Sequence, residues 1–89
     1  MKSIITVLGT DKIGIIAGVS VILAEANVNI LDISQTILQD TFTMIMLVDL
    51  SNSTKTFSDV KELLDLKGKE LGLSIKIQRE DIFNSMHNI

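Results

Sequence analysis

Length, composition and charge set the first limits on what this chain does. It has 89 residues, a net charge of -3 at pH 7, 46% apolar but only 3% aromatic residues, and no cysteine. This length supports one domain with an aliphatic core. The acidic balance and the absence of Trp and Tyr leave neither a basic patch nor an aromatic platform, so we expect no direct nucleic acid binding. The lack of cysteine fits a reducing compartment, and we expect a cytoplasmic protein.

The first predicted elements are a strand and a helix. Residues 2–8 are rich in β-branched side chains and are followed by Gly9, which predicts a strand. After the polar corner of residues 10–12, Asp11 is the predicted N-cap of a helix over residues 12–26. One stripe of this helix is apolar at helical spacing: Ile15, Ile16, Val19, Ile22, Leu23 and Ala26. Its opposite side is also apolar, so we expect a second subunit to cover what one sheet cannot.

The apolar run inside this helix does not predict membrane insertion or export. The run covers residues 13–24, whereas a spanning helix needs about 20 apolar residues. A secretory signal would follow a basic segment, but a strand and Asp11 precede this run. We therefore expect no membrane association.

The middle of the chain predicts an antiparallel hairpin. Residues 27–39 and 41–50 both alternate in polarity, and Gln39-Asp40 between them is a short polar reversal. In the second strand Leu31, Ile33 and Ile37 are predicted on one face and Asp32, Ser34 and Thr36 on the other. In the third strand the predicted inward residues are Phe42, Met44, Met46, Val48 and Leu50.

A second helix, a last strand and a tail complete the chain. Residues 51–56 form a loop rich in capping residues, and residues 57–71 are amphipathic with Gly72 as the predicted stop. The apolar face of this helix is Phe57, Val60, Leu64 and Leu71, and Asp65 and Lys69 are a predicted ion pair on its solvated face. Residues 73–78 alternate as a strand with Leu73, Ile75 and Ile77 inward. The spacing of Ile82, Phe83 and Met86 predicts a short helix or a docked tail.

The element order is therefore β-α-β-β-α-β in fewer than 90 residues. This order is typical of the ferredoxin-like α+β fold. Right-handed crossovers then place both helices on one face of a four-stranded antiparallel sheet.

The sequence contains few residues of the types that act in catalysis. The only histidine is His87, close to the end of the sequence, and there is no thiol. A fixed nucleophile and base are therefore not predicted, and the carboxylates are scattered rather than spaced as metal ligands. We expect no enzyme activity, no catalytic residue, no metal and no cofactor.

The corner between the first strand and the first helix is the candidate binding site. Gly9 and Gly14 have the spacing of a phosphate-binding loop, but Ile15 and Ile16 replace its Lys and Ser/Thr. A helix N-terminus offers free N–H groups that attract a carboxylate or phosphate, and Gly14 would allow close approach. In the alternative interpretation, Asp11 only caps the helix and Gly14 only permits packing against a strand. The residue types alone do not decide between a binding site and a purely structural turn.

The first half of the chain resembles an ACT domain. The segment TVLGTDKIGIIAGVSVILAEANVNILDISQT matches that family's pattern at Asp11, Gly14, Ile15, Asn29, Ile30 and Asp32. The resemblance covers an ACT domain over residues 1–80, with residues 81–89 as a C-terminal tail or short helix. The ending EDIFNSMHNI is similar to stand-alone ACT proteins related to the repressor of the glycine cleavage system.

This resemblance implies a homodimer that binds a small amino acid between its subunits. By position, Thr10, Asp11, Lys12, Ile13, Gly14 and Ile15 would line the site from one chain, and Asn29 and Ile30 would meet them from the other. We expect no attached catalytic domain, so the bound state would act on a partner enzyme or regulator. Some ACT domains bind no ligand, and a ligand-free dimerisation or protein-interaction module is the alternative.

Overall fold

Seven elements form in the computed structural model, which describes residues 1–87, with side chains as far as Ser85. They are β1 (Lys2–Thr10), α1 (Ile15–Glu25), β2 (Asn29–Leu38), β3 (Thr41–Asp49), α2 (Phe57–Leu71), β4 (Ser74–Arg79) and α3 (Glu80–His87). The strands form one antiparallel sheet in the order β2-β3-β1-β4. The ferredoxin-like prediction is confirmed, with α3 added where a short helix was one of two expectations. The side chains of Met86 and His87, which the sequence singled out, lie outside the described part.

One face of the sheet and the two long helices make the core. Alternate residues of β1, β3 and β4 turn toward α1 and α2 and are buried: Ile5, Val7, Phe42, Met44, Met46, Val48, Ile75 and Ile77. The helices contribute Ile15, Val19, Ile22, Leu23, Val60 and Leu64. These residues confirm the alternation predicted for β3 and β4 and most of the stripe predicted for α1. The shortest dimension of the molecule is 19 Å, which fits one sheet and one helical layer.

Strand β2 is exposed along most of its length, contrary to the half-buried strand that its alternation predicts. It is an edge strand, and a bulge between Ile30 and Asp32 shifts its register. Ile33 and Ile37 lie opposite core residues of β3 as expected. They nevertheless stay 42% and 50% exposed, because none of the seven elements described covers this edge. Leu31 was expected on the same face, but it stands at the bulge, outside the regular pairing.

Helix α2 has the predicted bounds and caps. The Thr56 side chain accepts a hydrogen bond from the Asp59 N–H at 3.1 Å, and Gly72 ends the helix in a left-handed conformation. The predicted pair of Asp65 with Lys69 is wrong. Asp65 instead lies 3.6 Å from the Lys61 amine, one turn earlier on the same exposed face.

The back of α1 is only partly covered. Helix α2 packs against it at Gly18, where an added Cβ would lie 3.5 Å from the Lys67 side chain. Val21 is 54% exposed, so the second helix does not cover it. Among the described residues no helix has the length and apolar character needed to cross a membrane.

Candidate functional site

The corner between β1 and α1 differs from the predicted capped turn. The helix begins at Ile15, its N-cap is Gly14, and no side chain caps it. Asp11 is therefore not the N-cap, because three residues separate it from the helix. Its backbone N–H instead donates to the Asp40 carbonyl oxygen at 2.8 Å. This bond ties the corner to the turn between β2 and β3.

The backbone of Gly14 explains why glycine stands there. Its φ of 93° lies in the left-handed region, which residues with a Cβ adopt at a cost. A Cβ placed on Gly14 would meet no atom within 4 Å. Packing against a strand is therefore not the reason for this glycine, and open space lies beside it.

Beside Gly14 lies a groove that we call the corner groove. It has a volume of about 240 Å³ and lies between the start of α1 and the last part of β2. Its lining is Asp11, Lys12, Gly14, Ile15, Ile16, Ala17, Gln35, Ile37 and Phe42. The lining therefore combines one carboxylate, one amine and one amide with a largely apolar surface.

The polar groups of the corner groove match the two charges of an amino acid. The first helical donor is the Gly18 N–H, which bonds the Gly14 carbonyl oxygen at 2.8 Å. The N–H groups before it have no partner within the helix, and they carry the positive end of its dipole, which suits a carboxylate. Asp11 supplies the negative charge that suits an ammonium group. The Lys12 amine is engaged elsewhere, because it donates to the Leu71 carbonyl oxygen at the end of α2.

The sequence predicted only part of this lining. Asp11, Lys12, Gly14 and Ile15 come together as expected. Thr10 pairs with Thr41 in the sheet and Ile13 is fully exposed, and neither lines the groove. Sequence reasoning missed Ile16 and Ala17 in the first turn of α1, and it missed three side chains from distant elements: Gln35, Ile37 and Phe42. The tight reversal at Gln39-Asp40 was the available signal, because it sets Ile37 opposite Phe42 next to the corner.

Asn29 and Ile30 lie at the other end of the sheet. Asn29 pairs with Asp49, whereas the corner follows Thr10, which pairs with Thr41. Eight residues along β3 separate these two rows, or about 26 Å at about 3.3 Å per residue. A single chain therefore does not bring all of the predicted site residues together.

That far end carries a larger and more polar cavity of about 350 Å³, lined by Ala24, Asn27, Val28, Asn29, Asp49 and Asn52. The Asn27 amide donates to the Asn52 carbonyl oxygen at 2.9 Å, and the Asp49 carboxylate accepts from the Ser51 N–H at 2.9 Å. Ser51 holds the pKa of Asp49 below its ordinary value through side-chain and backbone hydrogen bonds. Several polar groups here bond one another and fix the loop after β3. The part of the chain described contains no cluster of three or more potential metal-binding side chains.

Comparison with known proteins agrees with the fold. A model of the ACT domain family matches residues 3–78. A UPF0237 protein of Clostridium acetobutylicum is 68% identical over 89 residues, 100% of both chains. An ACT domain protein from Streptococcus pneumoniae has a TM-score of 0.80 at 46% identity over 93% of each chain. A structure described as a glycine cleavage system transcriptional repressor has a TM-score of 0.73 at 29% identity, covering 86% of this chain and 44% of that one. The chain belongs to the ACT domain family.

Proposed function

We propose that this protein is a non-catalytic regulatory sensor that binds a small amino acid between two copies of itself. In this proposal the bound state is passed to a partner enzyme or regulator in the cytoplasm. The observation that carries the proposal is the separation of the predicted site residues. The corner groove and Asn29 lie at opposite ends of one sheet, so only a second chain can unite them.

The exposed edge of β2 is the natural place for that second chain. An edge strand presents unpaired N–H and C=O groups that a second strand can satisfy. If β2 pairs with β2 of a second copy about a two-fold axis, the two strands run antiparallel. The end at Asn29 then lies beside Leu38 of the other copy, next to the corner of that copy. The pairing also covers Ile33 and Ile37, which this chain leaves half exposed.

Each end of the ligand then has a partner in the proposed site. Thr10, Asp11, Lys12, Ile13, Gly14 and Ile15 belong to the corner of one copy, and Asn29 and Ile30 come from the other. The helix N-terminus receives the ligand carboxylate, and Asp11 receives its ammonium group. These groups bind and orient a ligand without reacting with it. Lys12 joins the corner to the end of α2, which gives ligand binding a route to a distant surface.

A ligand screen followed by titration tests the proposal. A thermal-shift screen of the 20 amino acids selects the ligand, because ligand at about 100 times its dissociation constant adds roughly 2.7 kcal/mol of stability. Calorimetry then compares the parent with Asp11→Asn, which is expected to lose about 2 to 5 kcal/mol of binding free energy with the charge pair. The matched control is Asp40→Asn, which removes the same charge at the same end of the sheet from outside the groove. Equal affinity in parent and Asp11→Asn would remove the corner from the site.

The ligand-free interaction module remains the second candidate because the β2 edge can pair two copies without any ligand. Its signature is a dimer whose melting temperature no amino acid raises. That result would reject the sensor and leave the pairing intact.

A further inference from the structure

The second free edge of the sheet is strand β4. It stands last in the order β2-β3-β1-β4, so β1 is its only neighbour among the strands described. Alternate residues of such an edge strand point their N–H and C=O groups away from the partner strand. Helix α3 follows β4 and contacts both β4 and β1. Because β1 lies on the paired side of β4, this contact leaves the free side of the strand available.

Helix α2 and the free side of β4 form a groove that we call the edge groove. It consists of two adjoining cavities of about 300 Å³ and about 280 Å³, which share Asp65 and Lys76 in their lining. Helix α2 and β4 also contribute two amines and two apolar side chains: Lys61, Lys69, Ile75 and Ile77. A strand added beside β4 would therefore lie along α2, which is the arrangement in which several domains bind extended peptides.

The edge groove is positively charged, although the whole chain has a net charge of -3. Three lysines and one aspartate line it. The aspartate, Asp65, lies 3.6 Å from the Lys61 amine and is balanced by it. The Lys69 and Lys76 amines form no ion pair with any residue that the structure describes. Two positive charges are therefore left for a binding partner.

The alternation of β4 determines where these charges would meet an added strand. Ile75 and Ile77 are each only 4% exposed and point toward the helices. Lys76 stands between them and therefore points to the opposite face of the sheet. Residues of opposite charge on neighbouring strands attract each other. An added strand thus fits best with acidic residues on the face that carries Lys76 and apolar residues on the face turned to α2.

We propose that the edge groove binds an extended acidic segment of a partner protein, which adds a strand to the sheet beside β4. Pairing of β4 with β4 of a second copy is unfavourable, because the two-fold axis would bring the Lys76 side chains close together. Pairing of β2 with β4 of the next copy would repeat without closing. The edge groove is separate from the corner groove, so this inference does not depend on amino acid binding.

Titration of the whole chain with a defined peptide tests the proposal. The probe is an acetylated and amidated peptide of eight residues in which valine alternates with glutamate, and no amino acid is added. NMR is expected to show slower hydrogen exchange at amides of β4 and no change at amides of β2. A control peptide with two of the valines replaced by proline keeps the charge but pairs poorly as a strand.

Three results of this titration would overturn the proposal. Absence of binding would mean that the lysines only protect the edge from pairing. Equal binding of the proline peptide would show attraction between charges without an added strand. Protection at β2 in place of β4 would assign the peptide to the other edge.

Reversal of one charge tests the role of Lys76. Lys76→Glu is expected to weaken binding of the valine-glutamate peptide about tenfold. It is also expected to bind a valine-lysine peptide more tightly than the parent does. The matched control is Lys55→Glu, which makes the same charge change outside the edge groove and is expected to bind like the parent. Both side chains are exposed, so neither change removes a core contact.

Equal affinities in the parent and Lys76→Glu, or equal losses in Lys76→Glu and Lys55→Glu, would overturn the proposed pairing. Calorimetry of the same variants with the amino acid selected by the screen separates this result from the proposed function. Loss of peptide binding with amino acid binding retained contradicts the edge groove alone, and the converse contradicts the corner alone.

Discussion

The two ends of the sheet use polar groups in opposite ways. At the far end, the Asn27 amide donates a hydrogen bond to the Asn52 carbonyl oxygen. The Asp49 carboxylate accepts hydrogen bonds from Ser51 and from the amino group of Met1. At the corner end, the first turn of α1 has no side-chain cap, and a groove opens beside it. The cavity at the far end is larger than the corner groove. The backbone N–H groups without a partner in the helix nevertheless lie at the corner groove.

This difference teaches that cavity size is a poor guide to the binding site in so small a domain. Polar groups that already bond one another lose those bonds when a ligand replaces them. Donors at an uncapped helix start are exposed to solvent and gain a partner on binding. In the proposed site, the corner therefore supplies the groups that bind the ligand's charges, whereas the polar groups at the far end that already bond one another stabilise the fold.

The largest expected effect on stability comes from breaking the far end. Asn27 has a φ of 57° and donates to the Asn52 carbonyl oxygen. Asn27→Ala removes the hydrogen bond and places a residue poorly suited to the left-handed region there, so we expect a loss of about 2 kcal/mol. Urea unfolding of the parent and of the variant measures this difference in the free energy of unfolding. Asn27→Gly tolerates the same φ and should lose less, and equal losses in the two variants would show that the backbone conformation contributes nothing.

A smaller effect is expected at the corner. Gly14→Ala keeps the open space, because the added methyl group meets no atom of the chain within 4 Å. The only expected cost is that of holding alanine at a left-handed φ, which lowers the free energy of unfolding by about 1 to 2 kcal/mol. Thermal unfolding of the ligand-free protein measures the loss. Gly14→Asn should lose less because asparagine tolerates this region, and a fully stable Gly14→Ala would contradict the left-handed corner.

The sequence predicted the elements well because their signals are local. Alternation found β3 with its buried methionines, Thr56 and Gly72 fit the ends of α2, and the reversal at Gln39-Asp40 joins β2 to β3. These features depend on residues a few positions apart. They can therefore be predicted without knowledge of the rest of the fold.

The wrong predictions concern features that depend on backbone geometry or on contacts with residues far along the chain. Asp11 is a good capping residue by type, but the left-handed turn at Gly14 moves the helix start beyond it. The bulge beside Leu31 and the exposure of β2 depend on its place at the sheet edge. The groove lining from Gln35 follows from the pairing of β2 with β3. None of these is visible in local spacing.

The smallest expected effect is electrostatic and belongs to the far end. The Ser51 hydroxyl donates to the Asp49 carboxylate at 2.6 Å, and this bond is the largest cause of the lowered pKa of Asp49. A carboxyl pKa that is lower in the folded than in the unfolded state stabilises the fold above the unfolded value, and this stability disappears as pH falls through the folded value. The relevant window therefore lies below the ordinary pKa of 3.8.

Ser51→Ala is expected to raise the pKa of Asp49 toward that ordinary value while the Ser51 backbone N–H bond persists. Carboxyl NMR titration measures the shift directly. Ser53→Ala is the matched control, because the Ser53 hydroxyl donates to the Lys55 carbonyl oxygen and does not touch Asp49. An unchanged Asp49 titration in Ser51→Ala would show that the far end is not the closed polar network that separates it from the corner.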